Sequence, residues 1–386
     1  MVHYLDNAAT TAVRPAAVEA MLPLYTEVYG NPSGAHRMAR LANQVLDDAR
    51  ETLAEVLGAA PGQIVFTAGG TEADNLAIRG ALDAHGGAAV CSAVEHHAVL
   101  DTVEHYGGRI VSVRPDGRID LDALAAALDP ALGPPVTIVS VMLANNETGI
   151  IQPLAEVVDV VRRSAPQALI HTDAVQALCW LDVAQAAADA DLISISAHKF
   201  GGPKGVGALV VRDRARLAPL FIGGGQERDR RGGTQNVAGI AGMAVAAAET
   251  VAERPSAVPR VAALRDRLAD GIRAAIDGVF ESGVAAGPGP VDRSIKTANI
   301  CHVCFEGIES EALLFLLEKQ DIMASAASSC ASGAMDPSHV LAAMGFPREL
   351  AFGSLRLSLG YGTTDVDVDA ALRAVPAAVT RLRERS

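Results

Sequence analysis

The stretch IVFTAGGTEADNLAIRGAL, residues 64–82, carries the sequence signal on which the fold prediction depends. Four β-prone residues, 64–67, lead into the pair Gly69-Gly70, and the residues from Ala73 onward follow helical spacing. A strand that runs through glycines directly into a helix is typical of an open α/β sheet. Glycines at such a junction let backbone N–H groups approach a phosphate, and the same residues also suit an ordinary tight turn.

Further β-rich runs alternate with helical stretches around this junction. A long helical pattern over residues 38–57 precedes it and ends at Gly58, where a left-handed cap is expected. Strands that alternate with helices predict a mostly parallel sheet covered on both faces, and therefore a three-layer α/β fold. The predicted strands are residues 64–67, 88–91, 109–113, 136–143, 168–172, 192–196 and 207–212.

The last third of the chain has a different pattern. Two prolines within residues 253–259 separate two helical stretches, which predicts a boundary. Beyond it the sequence predicts a smaller α+β domain, with helices at 261–276 and 310–320 and strands at 297–305 and 354–359.

Composition narrows the classes of function. The 386 residues are 50% hydrophobic, which is ample for a buried core. The formal charge of -13 disfavours direct nucleic-acid binding, because an acidic surface repels phosphate backbones. Five cysteines make a poor disulfide framework. Asp6 and Arg14 interrupt the apolar stretch that a signal peptide would need near the start of the sequence. We therefore expect a cytoplasmic protein, with no run that reaches the ~18 apolar residues of a membrane span.

Polar residues follow several predicted strands, at the edge where open parallel sheets bind ligands. Asp173 follows one strand, Lys199 ends another, and Asn145-Asn146 follows a third. A phosphate cradle, a carboxylate and a lysine together are what pyridoxal phosphate enzymes need. The glycine spacings at 223–228 and 202–205 fit neither a dinucleotide motif nor a P-loop, and no paired Cys/His spacing predicts a metal.

The motifs resemble those of the cysteine desulfurases of the NifS/IscS type, in the class V aminotransferase group, from Tyr4 to about Tyr361. The matching stretches are YLDNAATT, YGNPSGAH, FTAGGTEADNLAI, EHHAVLDT, NNETGIIQP, HTDAVQ, SAHKFGGPKGVGAL, RRGGTQNVAGIAG, SSCASGAMDPSHVL and LRLSLG. The resemblance implies fold type I of the pyridoxal phosphate enzymes. It also implies a large cofactor-binding domain, 15–252, and a small domain, 1–14 plus 253–386, that carries a catalytic cysteine loop.

The resemblance assigns roles to single residues. Lys199 would hold pyridoxal 5'-phosphate as a Schiff base and remove the Cα proton, and Asp173 would pair with the ring nitrogen. His96 would stack on the ring, although sequence alone leaves open whether His96 or His97 faces inward. The other implied cofactor ligands are Gly70, Thr71, Asn146, Gln176, Ser196, His198 and Thr234.

Two further roles follow from the same resemblance. Asn146 and Arg356 would hold the substrate carboxylate, a task that suits a planar guanidinium fork. Thr234 resembles a phosphate ligand that the second subunit donates, so we expect a homodimer.

Cys330 lies in ASAASSCASGAMD, residues 324–336, where nearly every side chain is small. Small side chains bury little apolar area, so we expect a loop with few packing contacts. By resemblance, Cys330 would take sulfur from L-cysteine as a persulfide, leave L-alanine, and pass the sulfur to an acceptor protein. Two departures from the family pattern are Ser329, where many relatives have a small apolar residue, and Tyr361, where we expect a basic residue.

The other cysteines, Cys91, Cys179, Cys301 and Cys304, are predicted to be structural. Residues three apart in a strand point to opposite faces, so Cys301 and Cys304 are not expected to share a metal.

Other hypotheses stay open at the level of sequence. A selenocysteine lyase or another β-eliminating lyase would use the same scaffold, and a scaffold protein that docks sulfur acceptors without turnover is a hypothesis of a different class. Iron–sulfur cluster assembly and tRNA thiolation would begin with the same half-reaction, so the acceptor is undetermined.

Overall fold

The computed structural model describes residues 2–284, 292–326 and 337–384. Its strands are β1 (His3–Tyr4), β2 (Ile64–Thr67), β3 (Ala88–Ser92), β4 (Arg109–Val111), β5 (Val136–Ser140), β6 (Leu169–Asp173), β7 (Leu192–Ser196), β8 (Gly207–Val211), β9 (Val279–Glu281), β10 (Ile300–Phe305), β11 (Ile322–Met323) and β12 (Ser354–Ser358). Its helices are α1 (Pro15–Met21), α2 (Pro23–Thr26), α3 (Arg37–Val56), α4 (Gly70–His85), α5 (His97–His105), α6 (Leu121–Ala127), α7 (Leu154–Ser164), α8 (Val183–Ala186), α9 (Val237–Ala275), α10 (Ser310–Glu318), α11 (His339–Ala343), α12 (Arg348–Ala351) and α13 (Asp365–Arg383). Short 3-10 turns occur at Pro61–Gln63, Pro130–Leu132, Ala197–Lys199 and Gln226–Asp229.

A seven-stranded sheet forms the centre of the described part of the chain, in the order β2-β8-β7-β6-β5-β3-β4. Neighbouring strands from β7 to β4 are parallel, whereas β8 runs antiparallel to both β2 and β7. The predicted mostly parallel sheet is confirmed. The register places Ser194 of β7 opposite Asp173 of β6, and His171 of β6 opposite Ser140 of β5.

Helices cover both faces of this sheet. Consecutive residues of β6 point to opposite faces of the sheet, because Leu169 packs in one apolar cluster and Ile170 in another. The cluster that contains Leu169 also contains Leu76 of α4, and the cluster that contains Ile170 also contains Leu46 of α3 and Ile240 of α9. The predicted three layers are therefore confirmed. No helix within 2–284, 292–326 or 337–384 is long and apolar enough to cross a bilayer.

A smaller antiparallel sheet, ordered β12-β10-β9, lies in the C-terminal part of the chain. A third apolar cluster covers one of its faces, and this cluster also includes Leu5 next to β1. The short strand β1 pairs in parallel with β11, so the N-terminal residues pack with this C-terminal part.

The prediction of a break at residues 253–259 is wrong for the helix itself. One helix, α9, runs through Pro255 and Pro259 without interruption. Proline removes one backbone hydrogen bond and crowds the preceding turn, but packing at both ends of the helix offsets this cost. Ala247 packs in the core of the large sheet and Val261 in the C-terminal core, so α9 spans both. The domain limits deduced from the resemblance stay a prediction.

Candidate active site

A glycine cradle lies where β2 passes into α4. A Cβ atom on Gly70 would stand 2.8 Å from Val175 Cγ2 and 3.4 Å from Ser196 Cβ. Gly69 has a φ of +153°, and a Cβ on Gly207 would stand 2.7 Å from the Gly69 carbonyl carbon. The backbone is therefore as close to the ends of β6 and β7 as glycine allows. The first turn of α4 has N–H groups without helical partners and the positive end of the dipole, which together suit a phosphate.

Asp173 supplies a buried carboxylate at the end of β6. Its side chain accepts a hydrogen bond from the backbone N–H of Val175 at 2.8 Å, and the residue is 5% exposed. Burial raises the pKa of Asp173, and the charges of His96 and Lys199 act in the opposite direction. A nearby cation favours the ionised form of such a carboxyl group, and a protonated ring nitrogen would be such a cation.

Lys199 ends the short turn that follows β7. Its Nζ donates to the backbone carbonyls of Ala8 at 2.7 Å and Ala9 at 2.8 Å. Gln176 Nε2 donates to the Ala8 carbonyl as well, at 2.8 Å. The N-terminal carbonyls thus bring Lys199 and Gln176 together. Ala8 and Ala9 were not predicted from the sequence because a backbone acceptor has no side-chain signature, although both lie in the matching stretch YLDNAATT.

His96, rather than His97, faces the site. His96 Nδ1 accepts a hydrogen bond from Ala98 N at 3.1 Å at the start of α5. Burial lowers the pKa of His96, and the Asp173 charge opposes this shift. The His97 side chain is 44% exposed and pairs with Asp101 on the outside of α5. A half-buried imidazole beside Asp173 suits a stacking role.

Two further predicted ligands flank Lys199. Ser196 is 4% exposed and lies against Gly70. His198 Nδ1 lies 3.1 Å from Thr10 Oγ1, and burial together with the Lys199 charge lowers the pKa of His198 to about 4. His198 is therefore neutral at physiological pH and can take part only as a hydrogen-bonding group.

Arg356 of β12 presents its guanidinium next to the loop that follows β5. Nη1 donates to the backbone carbonyl of Asn146 at 2.9 Å, and Nη2 pairs with Asp6 at 2.8 Å. Arg356 is 4% exposed, and its Nε has no hydrogen-bond partner among the described residues. A buried fork of this kind suits a carboxylate ligand. Asp6 was not singled out in sequence as part of this site.

Cys330 lies outside the described residues, which end at residue 326 and resume at residue 337. Ser325 exchanges backbone hydrogen bonds with Arg356, at 3.2 and 2.7 Å. Ser338 donates a short hydrogen bond from Oγ to the Glu147 carboxyl group. Both flanks of the segment that carries Cys330 are thus attached to the residues around the predicted carboxylate site.

A cavity of about 470 Å³ adjoins Lys199 and Gln176. Cys179 lines this cavity, with its Sγ 3.6 Å from the Lys199 carbonyl oxygen, so it is not simply a core residue as predicted. Burial raises the pKa of the Cys179 thiol to about 12, which leaves it protonated and unreactive at neutral pH. Tyr361, at a position where we expected a basic residue, lies under the guanidinium of Arg14, 5.4 Å from the ring centroid.

The two remaining predicted cofactor ligands, Thr71 and Thr234, are exposed. Thr234 follows Arg231, whose Nε lies 2.9 Å from Glu72 in the first turn of α4. The segment before Thr234 therefore contacts the cradle helix of its own chain, and the donation of Thr234 by a second subunit stays a prediction.

Cys301 and Cys304 of β10 point to opposite faces of their sheet, as predicted. Cys301 packs in the C-terminal core, whereas Cys304 packs against Leu341 and Ala351. Both are fully buried. Cys91 is also buried, within β3.

Comparison with known proteins gives a consistent result. The family model described as aminotransferase class-V matches residues 3–371. The chain is 43% identical to the "IscS-like cysteine desulfurase" of Mycobacterium tuberculosis, over 98% of this chain and 97% of that protein. It is 42% identical to "Cysteine desulfurase IscS" of Methanosarcina thermophila, over 99% and 93%.

Solved structures agree with these relatives. A structure titled "NIFS-LIKE PROTEIN" superposes with a TM-score of 0.88 at 34% identity, over 99% of this chain and all of that one. DndA from Streptomyces lividans superposes with a TM-score of 0.73 at 36% identity, over 92% of this chain and 99% of that one.

Proposed function

We propose that this chain, which belongs to the class-V aminotransferase family, is a cysteine desulfurase that depends on pyridoxal 5'-phosphate. One observation carries the proposal. The glycine cradle, Asp173 and Lys199 converge at the carboxyl edge of one sheet, while Arg356 lies beside the flanks of a single cysteine segment. A scaffold without turnover would need no such combination of groups.

The residues present fit the cofactor. A Cβ atom at position 70 would crowd Val175 Cγ2 at 2.8 Å, and glycine there leaves the start of α4 open to a phosphate. Asp173 would pair with the ring nitrogen, Lys199 would bind the cofactor covalently, and His96 would cover the ring. The further residues that would hold it are Thr71, Asn146, Gln176, Ser196, His198 and, from a second subunit, Thr234. When bound, the cofactor supplies an electron sink that makes the substrate Cα proton acidic and the Cβ–S bond breakable.

The chain's own residues would orient the substrate and move its proton. Arg356 binds the carboxylate of L-cysteine through its fork, and Asn146 lies against that fork. The Lys199 amine would take the Cα proton, because a desolvated amine is an effective base. As a free amine, Lys199 Nζ donates to the Ala8 and Ala9 carbonyls.

Cys330 is the proposed sulfur acceptor. Its thiolate forms an S–S bond with the substrate sulfur as the Cβ–S bond breaks, and the carbon takes a proton to become the methyl group of L-alanine. The products are a persulfide on Cys330 and one L-alanine per L-cysteine. The sequence context SSCASGAMD and the attachment of Ser325 and Ser338 beside Arg356 and Glu147 support this role.

The test is to incubate the holoenzyme with L-cysteine, quantify alanine, and map added sulfur by mass spectrometry. The C330A variant should keep the absorbance of the bound cofactor but form neither persulfide nor alanine at the wild-type rate. The matched control is C179A, which removes the thiol that lines the cavity and should leave turnover intact. A persulfide on any other cysteine, or full activity of C330A on L-cysteine, would overturn the assignment.

The partners complete the proposal. A sulfur-acceptor protein, such as an iron–sulfur scaffold or a thiolation enzyme, would receive the persulfide sulfur in the cytoplasm. A homodimer follows if Thr234 completes the phosphate site of a second copy. Light scattering of the holoenzyme should then give twice the mass of the chain, and T234A should weaken cofactor binding. A monomer that binds the cofactor normally would contradict the shared site.

A further inference from the structure

A buried polar cluster lies beside Asp173, on the face of the sheet that α4 covers. His171 precedes Asp173 by two residues in β6, so both side chains point to the same face. His171 is fully buried, with Nδ1 2.8 Å from Ser140 Oγ and Nε2 2.9 Å from Ser194 Oγ. Ser194 is also the residue opposite Asp173 in the neighbouring strand. The cluster therefore extends to the carboxylate that the cofactor ring would need.

Asp74 of α4 adds a second carboxyl group to the cluster. It is 1% exposed, and its Oδ1 lies 3.6 Å from His171 Nε2. The same oxygen has no hydrogen-bond partner among the described residues. A third carboxyl group, Glu95, is fully buried nearby and accepts a hydrogen bond from the backbone N–H of Met142.

The neighbouring groups of each carboxyl side chain determine whether it is ionised. Burial raises the pKa of Asp74 well above its usual value, the charges of Asp173 and Glu95 raise it further, and a hydrogen bond from Ser194 only partly opposes them. Burial raises the pKa of Glu95 in the same way. Burial also lowers the pKa of His171 to about 3, so its imidazole is neutral and cannot balance a negative charge.

Asp173 differs from Asp74 in its neighbours. The charges of His96 and Lys199 and the Val175 N–H favour the ionised form of Asp173, while no cation is among the groups that shift Asp74. Two interacting buried carboxyl groups do not both ionise readily, so the one without positive neighbours keeps its proton. In this pair that group is Asp74.

We propose that Asp74, His171, Ser140 and Ser194 form an uncharged hydrogen-bonded support that confines the negative charge of the site to Asp173. Asp74 is then a positioning residue that holds a proton and acts on the cofactor site through Asp173. The role rests on the proposed function only in so far as Asp173 serves a cofactor ring. The protonation of Asp74 itself can be tested without any turnover.

The first test is infrared spectroscopy of the full-length holoenzyme at pH 7.5. The wild type minus D74N difference spectrum should show the loss of one carboxylic-acid carbonyl band, because asparagine replaces a neutral acid. The matched control is D159N, at an exposed position of α7, which should lose only a carboxylate band. Loss of a carboxylate band in D74N would overturn the proposal.

The second test measures the dissociation constant of pyridoxal 5'-phosphate. D74N, which mimics the neutral acid, should bind the cofactor within about twofold of wild type at pH 7.5. D74L, which removes the polar group, should bind at least about tenfold more weakly, since Ser194 loses a hydrogen-bond partner and His171 loses the carboxyl group that lies 3.6 Å from its Nε2. A tenfold loss in D74N, or no loss in a folded D74L, would overturn the role of Asp74.

The two proposals fail in different ways. An enzyme that shows the Asp74 acid band but releases no sulfur would refute the desulfurase activity and leave the support of Asp173 intact. An active desulfurase whose Asp74 gives a carboxylate band would do the reverse.

Discussion

The glycine cradle gives a prediction whose size follows from the structure. In G70A the new Cβ would stand 2.8 Å from Val175 Cγ2, against about 3.5–4.0 Å for carbon atoms in favourable contact. Val175 would have to retreat by about 1 Å, and its backbone N–H holds the Asp173 carboxylate at 2.8 Å. The substitution should therefore disturb the proposed phosphate cradle and the proposed partner of the ring nitrogen together.

Overpacking of this kind costs about 1–3 kcal/mol. If the cost falls on the cofactor-bound state, the dissociation constant of pyridoxal 5'-phosphate should rise about 5- to 150-fold. Fluorescence titration of the apoprotein measures the constant, and a thermal unfolding curve checks that the variant is folded. The effect should appear in cofactor affinity before it appears in stability.

A compensating substitution separates steric crowding from other effects. V175A removes Cγ2, so the double variant G70A/V175A should bind the cofactor within about threefold of V175A alone. Wild-type affinity in G70A, or a double variant that is no better than G70A, would refute the reasoning.

Two other substitutions test the carboxylate fork and the buried histidine beside it. R356K keeps the charge but loses the fork, so KM for L-cysteine should rise about 10-fold or more with a smaller change in kcat, and an unchanged KM in steady-state assays would contradict the role of Arg356. Burial and the charges of Lys296 and Arg356 lower the pKa of the fully buried His302 to about 3. Between about pH 6.5 and about pH 3, unfolded chains therefore bind a proton at this residue that folded chains do not bind. The free energy of unfolding therefore decreases as the pH falls below about 6.5. In urea unfolding curves from pH 6 to 4, H302L should reduce this decrease by up to about 1.4 kcal/mol per pH unit. The control H105L, at an exposed position, should not change it.

Local signals explain which parts of the fold were predictable. The run from residue 64 to 82 contains its own strand, turn and helix patterns, and the structure places β2 and α4 there. Gly58 has a φ of +59°, as the left-handed cap after α3 requires. The path of α9 through Pro255 and Pro259 was not predictable, because packing against two cores outweighs the local preference of proline.

The candidate site likewise has parts that the sequence predicts and parts that it does not. Asp173 and Lys199 could be predicted as site residues because they are charged residues near strand ends, where parallel sheets bind ligands. The Ala8 and Ala9 carbonyls were missed because backbone acceptors leave no trace in residue type. The choice between His96 and His97 needed the direction of α5, which places His97 on the outer surface with Asp101.

In the proposed mechanism, Arg356 connects substrate binding with the segment that carries Cys330 through ordinary backbone pairing. Its side chain binds Asp6 and the Asn146 carbonyl, while its main chain pairs with Ser325 at the start of the segment that carries Cys330. An unpaired buried guanidinium is costly, so Asp6 stabilises the fork when no substrate is present. In the proposed mechanism the substrate carboxylate has to share or replace Asp6, and the binding free energy of L-cysteine is then the difference between its ion pair with Arg356 and that of Asp6. The proposal therefore makes one strand position responsible both for the affinity for the substrate and for the attachment of Ser325, which precedes the segment that carries Cys330.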